Sequence, residues 1–253
     1  MKDRMERIME ILSRKGYQSV NELAAELNVS DMTVRRYLDR LEERELIKRT
    51  HGGAFAGQEM IEVDFRIRET VRREQKEAIG RAAFSMIQPG ESVFIDAGTT
   101  AAFLAYAIND TKRITVVTNS LVVAQALENK TNVQCILLGG TVHGATHSLV
   151  GQITEEELAR FRFNRAFMGT SAIDLSEGLS QSTFEEIPIK RKAARQAAQV
   201  VVLADSSKFA RQVTFLFMGL NEVKAVVTDS DLAPADAQSM REKGIDVIVA
   251  GGL

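Results

Sequence analysis

The sequence predicts an α/β protein: a small N-terminal winged helix-turn-helix domain followed by a mostly parallel α/β sheet domain. Three observations predict it. Residues 19–41, SVNELAAELNVSDMTVRRYLDRL, carry two short helical stripes separated by a tight turn. Beyond Pro89-Gly90, near-continuous apolar strands alternate with helical segments, the pattern of a parallel sheet covered on both faces. Polar, glycine-containing runs follow several of those strands, where open sheets of this kind bind ligands.

Residues 3–15 read as the first helix, with Met5, Ile8, Met9 and Leu12 on one face and Gly16 at its end. Ser19 and Glu22 form a capping box for the second helix, whose stripe is Val20, Leu23, Ala24 and Leu27. Asn28-Val29 breaks the pattern and Ser30 caps a third helix, which turns Val34, Leu38 and Leu41 inward. Thr33, Arg35, Arg36, Tyr37 and Arg40 lie off that stripe, on the outer face. A cationic helix of this kind fits the major groove, where arginine pairs bidentately with guanine. An ordinary helical hairpin with a solvated arginine pair is the plain alternative. Leu46-Ile47-Lys48-Arg49 reads as a short strand and His51-Gly52-Gly53-Ala54 as a turn or wing. The expected DNA-facing residues are Ser30, Met32, Thr33, Arg35, Arg36, Tyr37, Arg40, Arg49 and His51.

A chain of 253 residues, 45% hydrophobic, holds one small and one medium domain. The expected division is a winged helix-turn-helix over 1–57, a linker and connecting helix over 58–75, and the sheet domain over 76–253. A formal charge of −2 excludes non-specific coating of nucleic acid but leaves room for a local, site-specific reader. Cys135 is the single cysteine, so no intrachain disulfide forms and a reducing compartment is expected. No apolar run reaches membrane-spanning length, and MKDRMERIMEIL lacks the apolar core of a signal peptide. A cytoplasmic protein is the expectation. His143 and His147 flank Gly144 with no carboxylate motif beside them, so they read as a loop rather than a metal site. No cofactor is expected.

The rest of the chain follows in order. Residues 55–65 break periodicity as a linker, and 66–87 read as one long charged helix, either a solvated connector or a coupling helix with Lys76 directed at the second domain's site. Strands are expected at 92–96, 114–118, 133–138, 165–169, 200–204, 225–228 and 246–249. Helices are expected after Thr100 and over 120–129, 188–199 and 234–243. The runs just after strands are Asp96-Ala97-Gly98-Thr99-Thr100, Thr118-Asn119-Ser120, Gly139-Gly140, Gly169-Thr170-Ser171 and Asp205-Ser206-Ser207-Lys208, with Glu186 and Lys190 nearby. Gly98 permits close backbone approach, and threonine hydroxyls with free N–H groups at a helix start suit an anion. A simple helix cap after a glycine turn is the plain reading of the same residues.

The pieces SVNELA, LNVS, TVRR, LE and RTHGGA together resemble the N-terminal domain of the DeoR family of bacterial transcriptional regulators. Tyr37 stands where that family usually has Asp, and Glu45 where it usually has Gly. Residues 76–251 resemble the family's effector-sensing domain through REQKEAIGRAA, DAGTT, TNS and ADSSKF. That domain is similar in fold to ribose-5-phosphate isomerase and glucosamine-6-phosphate isomerase. The resemblance implies a regulator of sugar metabolism, commonly a repressor, that binds operator DNA and a phosphorylated sugar. The phosphate would suit Gly98, Thr99 and Thr100 with Lys208 or Lys76 as the cation, and Asp96, Asn119 and Asp205 would suit hydroxyls. Gly139, Gly140, Ser171, Glu186 and Lys190 complete the expected effector site. Site-specific reading by so small a domain calls for two copies on repeated half-sites, so a homodimer or homotetramer is expected.

An isomerase-like enzyme is the alternative. Aldose–ketose isomerisation needs a base that moves a proton between adjacent carbons. The related isomerases carry two acids in the loop that here reads GTSAID, where Asp174 remains, and Glu186 has no obvious acidic partner. Binding without turnover is therefore the expectation. A constitutive DNA-binding protein whose second domain only oligomerises is a further alternative.

Overall fold

The computed structural model describes residues 2–15, 18–43, 47–50, 52–56 and 65–251, and the chain divides into units spanning 1–63 and 64–253. Gly16, Glu45 and His51 lie outside the described residues.

In the N-terminal unit, α1 (Lys2–Lys15) buries Met5, Ile8, Ile11 and Leu12 against α2 (Val20–Leu27) and α3 (Asp31–Glu42). β1 (Gln18–Ser19), β2 (Ile47–Thr50) and β3 (Gly53–Ala56) form an antiparallel wing in the order β1-β3-β2. The capping box is present: Glu22 N–H donates to Ser19 Oγ at 3.1 Å, and Ser19 N–H donates to Glu22 Oε2 at 2.7 Å. Thr33 N–H donates to Ser30 Oγ at 3.4 Å, so Ser30 caps α3. One expectation fails here. Tyr37 is not on the outer surface: it is buried with Val34, Leu38 and Leu41 in the core of this unit. The spacing explains it. Tyr37 is three residues after Val34 and four before Leu41, so any stripe holding both must include it.

The second unit begins with α4 (Phe65–Thr70) and α5 (Arg73–Met86). The single helix expected over 66–87 is thus two helices. Arg72 enters the left-handed region (φ 53°, ψ 42°), which costs energy for a residue with a Cβ. Lys76 makes the break tenable: its ammonium donates to the carbonyl of Val71 at 2.7 Å and to that of Arg68, oxygens that the interrupted helix leaves open.

The remaining elements are β4 (Ser92–Ile95), α6 (Thr99–Ala107), β5 (Ile114–Thr118), α7 (Leu121–Leu127), β6 (Val133–Leu137), β7 (Thr141–His143), β8 (Ser148–Val150) and α8 (Gln152–Leu158). Then follow β9 (Phe163–Gly169), β10 (Ala172–Asp174), β11 (Gly178–Gln181), α9 (Ile187–Gln196), β12 (Ala197–Leu203), β13 (Phe215–Met218), β14 (Ala225–Asp229), α10 (Pro234–Glu242) and β15 (Asp246–Ala250). Seven strands form one sheet, β15-β14-β12-β9-β4-β5-β6, and every pairing in it is parallel. β10, β11 and β13 form a separate antiparallel sheet, and β7 pairs with β8. Separate apolar clusters cover the large sheet. One includes Ile79, Ala83, Ala101 and Leu104 from α5 and α6; the other includes Leu158, Ile189, Ala193 and Met240 from α8, α9 and α10. That double cover is why the central strands read as apolar runs rather than alternating ones. The chain order reverses at β4, which has β5 on one side and β9 on the other. The crevice beyond the carboxyl ends of β4 and β9 is therefore the topological switch point, where open sheets bind ligands.

Candidate functional site

In the N-terminal unit, α3 presents Ser30, Met32, Arg35 and Arg36 to solvent, with Thr33 and Arg40 half-buried. Met32 is 79% exposed. The Arg36 guanidinium carbon lies 5.8 Å from the Tyr37 ring centroid, so the buried tyrosine supports the arginine beside it. Arg49 on β2 pairs with Asp39, and its N–H donates to Glu42 Oε1 at 3.3 Å. Wing and helix are thereby tied together.

In the sheet unit, the strand ends around the switch point carry a linked set of buried polar groups. Asp96, just after β4, accepts from Gly169 N–H at the end of β9 at 3.0 Å and pairs with the Lys190 ammonium. Lys190 also donates to Gly169 O at 3.0 Å. Both partners are almost wholly buried, at 1% and 2% exposure. Burial pushes the Asp96 carboxyl above its usual range, with Lys190 pulling it back down and Glu186 adding to the rise. Glu186 is buried as well. Its oxygens accept from Ser148 Oγ at 3.2 Å and Gln181 Nε2 at 2.6 Å. Ser171 Oγ donates to Gln181 Oε1 at 3.1 Å. Asp96 and Lys190 thus form one bonded pair and Ser171, Gln181, Glu186 and Ser148 one bonded chain, with Glu186 acting on Asp96 through its charge.

The Gly98 loop stands beside the pair. Gly98 has φ 130° and opens α6 with Thr99 and Thr100 in its first turn, both buried. An L-residue side chain is strained at that φ, so glycine is required by conformation there. On the other side of β4, Asn119 donates to Leu149 O at 3.1 Å while its buried Oδ1 has no hydrogen-bond partner among the described residues.

One strand beyond β9, Asp205 caps the turn after β12, accepting from Ser207 N–H at 3.0 Å. Its ion partner is Arg72, at 3.4 Å, rather than Lys208. Burial lowers the Lys208 ammonium below its ordinary value, opposed by Asp205. Burial likewise pushes Lys76 down to about 8, again opposed by Asp205. Lys76, Asp205 and Lys208 thus form a second group at the next strand end.

Two expectations read differently in three dimensions. Gly139 and Gly140 end the edge strand β6 and seat α8. Gly139 N–H donates to Glu157 Oε2 at 2.6 Å, Thr154 Oγ1 donates to Gly139 O at 2.7 Å, and a Cβ on Gly140 would lie 2.0 Å from Thr154 Oγ1. Asp174 is a turn carboxylate that accepts from Ser176 N–H at 2.8 Å and Glu177 N–H at 2.9 Å. The Ser176 hydroxyl and these N–H groups hold it well below the usual carboxylate range. Sequence reasoning missed Arg72, Ser148, Gln181 and Asp229. Asp229 ends the apolar strand β14 and accepts from Ser206 N–H at 2.8 Å, so the strand-end rule that found Asp205 reaches it too.

Comparison with known proteins gives three kinds of likeness. Residues 4–59 match the DeoR-like helix-turn-helix domain and residues 71–230 the DeoR C terminal sensor domain. The chain is 31% identical over 246 residues to the HTH-type transcriptional regulator YulB of Bacillus subtilis, covering 97% of this chain and 95% of that protein. It is 33% identical over 223 residues to the glycerol-3-phosphate regulon repressor of Escherichia coli, covering 88% of each. Among solved structures, ribose 5-phosphate isomerase A of Methanocaldococcus jannaschii aligns with a TM-score of 0.41 at 14% identity, covering 55% of each chain.

Proposed function

The chain belongs to the DeoR family of transcriptional regulators, and from that premise we propose that it represses a sugar-metabolism operon and is released or engaged by a phosphorylated sugar. The proposed operator reader is α3. Arg35 and Arg36 contact bases, and Ser30, Met32, Thr33 and Arg40 lie along the same surface. Tyr37 supports from within, and Arg49 braces the wing. The proposed protein is a cytoplasmic homo-oligomer that presents two such helices to one operator.

The observation that carries the effector reading is the Gly98 turn opening α6 at the switch point, flanked by buried groups suited to a polar ligand. The phosphate sits on the N–H groups and hydroxyls of Thr99 and Thr100, with Lys208 or Lys76 as counter-charge. Asp205, Asn119 Oδ1 and Ser171 face the hydroxyls. Asp96 and Lys190 position the loop, and Glu186 fixes the far wall. We read the site as binding without turnover: Asp96 is paired with Lys190 and Glu186 is bonded to Ser148 and Gln181 as framework, leaving Asp205 as an acceptor for a hydroxyl.

Two experiments test this. In thermal melts of the full chain, glycerol 3-phosphate, ribose 5-phosphate and fructose 1-phosphate are compared with glycerol, ribose and fructose. At least one phosphate ester raises Tm where its parent does not, and Lys208→Ala abolishes the rise. Equal effects of ester and parent would remove the phosphate from the reading. In operator binding, Arg35→Ala or Arg36→Ala costs about 1–3 kcal/mol at one base pair and relaxes specificity there. If both mutants bind operator and scrambled DNA as the wild type does, α3 is not the reader.

A further inference from the structure

The segment over residues 65–72, through which the chain enters the sheet unit, is fastened at both ends to loops of the proposed effector site. At its start, Phe65 N–H donates to Ala145 O at 3.1 Å and its ring stacks on His147 with centroids 5.4 Å apart. This turn between β7 and β8 belongs to the β5 side of the crevice: His147 O accepts from Leu121 N–H at 3.0 Å, and Asn119 O accepts from Leu149 N–H at 2.7 Å. It also reaches the buried network, since Thr146 Oγ1 lies 2.7 Å from Ser148 Oγ, which donates to Glu186. At the segment's other end, the Arg72 guanidinium gathers groups from the ends of β12 and β14. Nη2 donates to Asp231 Oδ2 at 2.6 Å and Ser206 Oγ at 2.8 Å and lies 3.5 Å from Asp229 Oδ1; Nε lies 3.4 Å from Asp205 Oδ1.

In the sheet order, β4 and β9 lie between β5 and β12. The two anchors therefore stand on opposite sides of the switch-point crevice, three strand spacings or ~14 Å apart. The six residues of α4 rise ~9 Å, and the Arg72 side chain completes the span. Between the anchors α4 packs on α6, which the Gly98 loop opens, and Glu69 accepts from Tyr106 Oη at 2.9 Å. Arg72 is held at φ 53°, a conformation that persists only when its surroundings over-determine it. Its buried Nε makes no hydrogen bond, so the clamp is tight in charge and incomplete in geometry.

We propose that residues 65–72 form a strap beside the effector crevice, that the Arg72 carboxylate cluster is its clasp, and that an effector engaging Asp205 and Lys208 opens the clasp and frees the strap. The inference rests on the effector reading above for what opens the clasp, but not for the clasp itself. A sugar hydroxyl that takes Asp205 Oδ1 competes with Arg72 for that oxygen and loosens one of the contacts holding Arg72 in its left-handed turn. The strap is where the chain from the DNA-binding unit enters the sheet unit, so an effector that changes its freedom has a route by which to bias operator binding.

Hydrogen–deuterium exchange over residues 65–72 of the full chain tests both halves. Without any ligand, Arg72→Gln speeds exchange there about tenfold or more, as loss of hydrogen bonds to charged groups demands, while the central strands exchange as in the wild type. Asp231→Ala, at an exposed carboxylate, removes the 2.6 Å contact without touching the core and speeds the same amides to a smaller degree. If neither variant alters exchange at 65–72, the clasp does not exist. In the second half, glycerol 3-phosphate, ribose 5-phosphate or fructose 1-phosphate, whichever raises Tm, speeds exchange in the strap of the wild type. A ligand that raises Tm yet leaves or slows strap exchange overturns the release. If none raises Tm, the effector reading fails and with it the trigger, while the two variants still decide the clasp.

Discussion

Replacing Lys190 by Met strands the Asp96 carboxylate. The two groups are 1% and 2% exposed, so neither charge can recover hydration by a small shift of its side chain. Lys190 also donates to Gly169 O, and that acceptor loses its partner as well. Breaking a buried ion pair from one side costs about 3–5 kcal/mol. The protein has one escape, which is to protonate Asp96. Burial already pushes that carboxyl upward and Lys190 opposes the rise, so removing the lysine raises it further. The sign follows directly. The native state then binds the proton more tightly than the unfolded state, and stability falls as pH rises from the unfolded value of ~3.9 to the raised native value, by up to ~1.4 kcal/mol per pH unit. Urea unfolding of Lys190→Met, followed by circular dichroism on the sheet unit's transition, therefore shows a smaller loss relative to the wild type at pH 5 than at pH 8. Combining Lys190→Met with Asp96→Asn leaves no stranded charge and recovers much of the loss. A Lys190→Met loss under about 1 kcal/mol at pH 7, or one equal at both pH values, would refute the reasoning.

Two further outcomes follow from packing. A Cβ on Gly80 would lie 2.4 Å from Phe103 O and 2.5 Å from Phe103 C, both backbone atoms that cannot step aside. Gly80→Ala should therefore cost about 1–3 kcal/mol or more by forcing α5 from α6, measured as a lower Tm; an unchanged Tm would mean the helices are not in that contact. Tyr37→Ala should cost about 3–5 kcal/mol of the N-terminal unit's stability as a large core truncation, whereas Tyr37→Phe should bind operator as the wild type does. Lost operator affinity in the phenylalanine variant would return the Tyr37 hydroxyl to the DNA surface.

The seven-stranded sheet was legible because its strands are buried on both faces and so appear as apolar runs that stop abruptly at polar residues. Asp96, Gly98, Asn119 and Asp205 were found by that stop alone. The same rule had no purchase on β7, β8, β10, β11 and β13. These strands are three or four residues long, and β11 buries the polar pair Ser180 and Gln181 among its four residues. α9 ends at Gln196, where the helical pattern continues to 199, because Ala197 already pairs with Phe163 as the first residue of β12. Arg72 was invisible for a different reason. It sits in ETVRREQKE, a charge run that reads as a solvated helical face, and its partners Ser206, Asp229 and Asp231 are 134 to 159 positions away along the chain.

The distribution of donors also bears on why the crevice is read here as a sensor. A base that shuttles a proton between adjacent carbons must keep a lone pair free and aimed at the substrate. Asp96 holds Lys190 and the Gly169 N–H. Glu186 holds a hydrogen bond on each oxygen. Asp174 accepts from Ser176, Glu177 and Gln212 in its turn, and Asp205 is divided between the Ser207 cap and Arg72. Of these four acids, Asp205 is the one whose partner, Arg72, lies on the strap, a partner it shares with Asp229 and Asp231. The acids are tied into framework, and the ties that reach the strap are those of Asp205, Asp229 and Asp231 to Arg72, whose release the proposed switch transmits to operator binding.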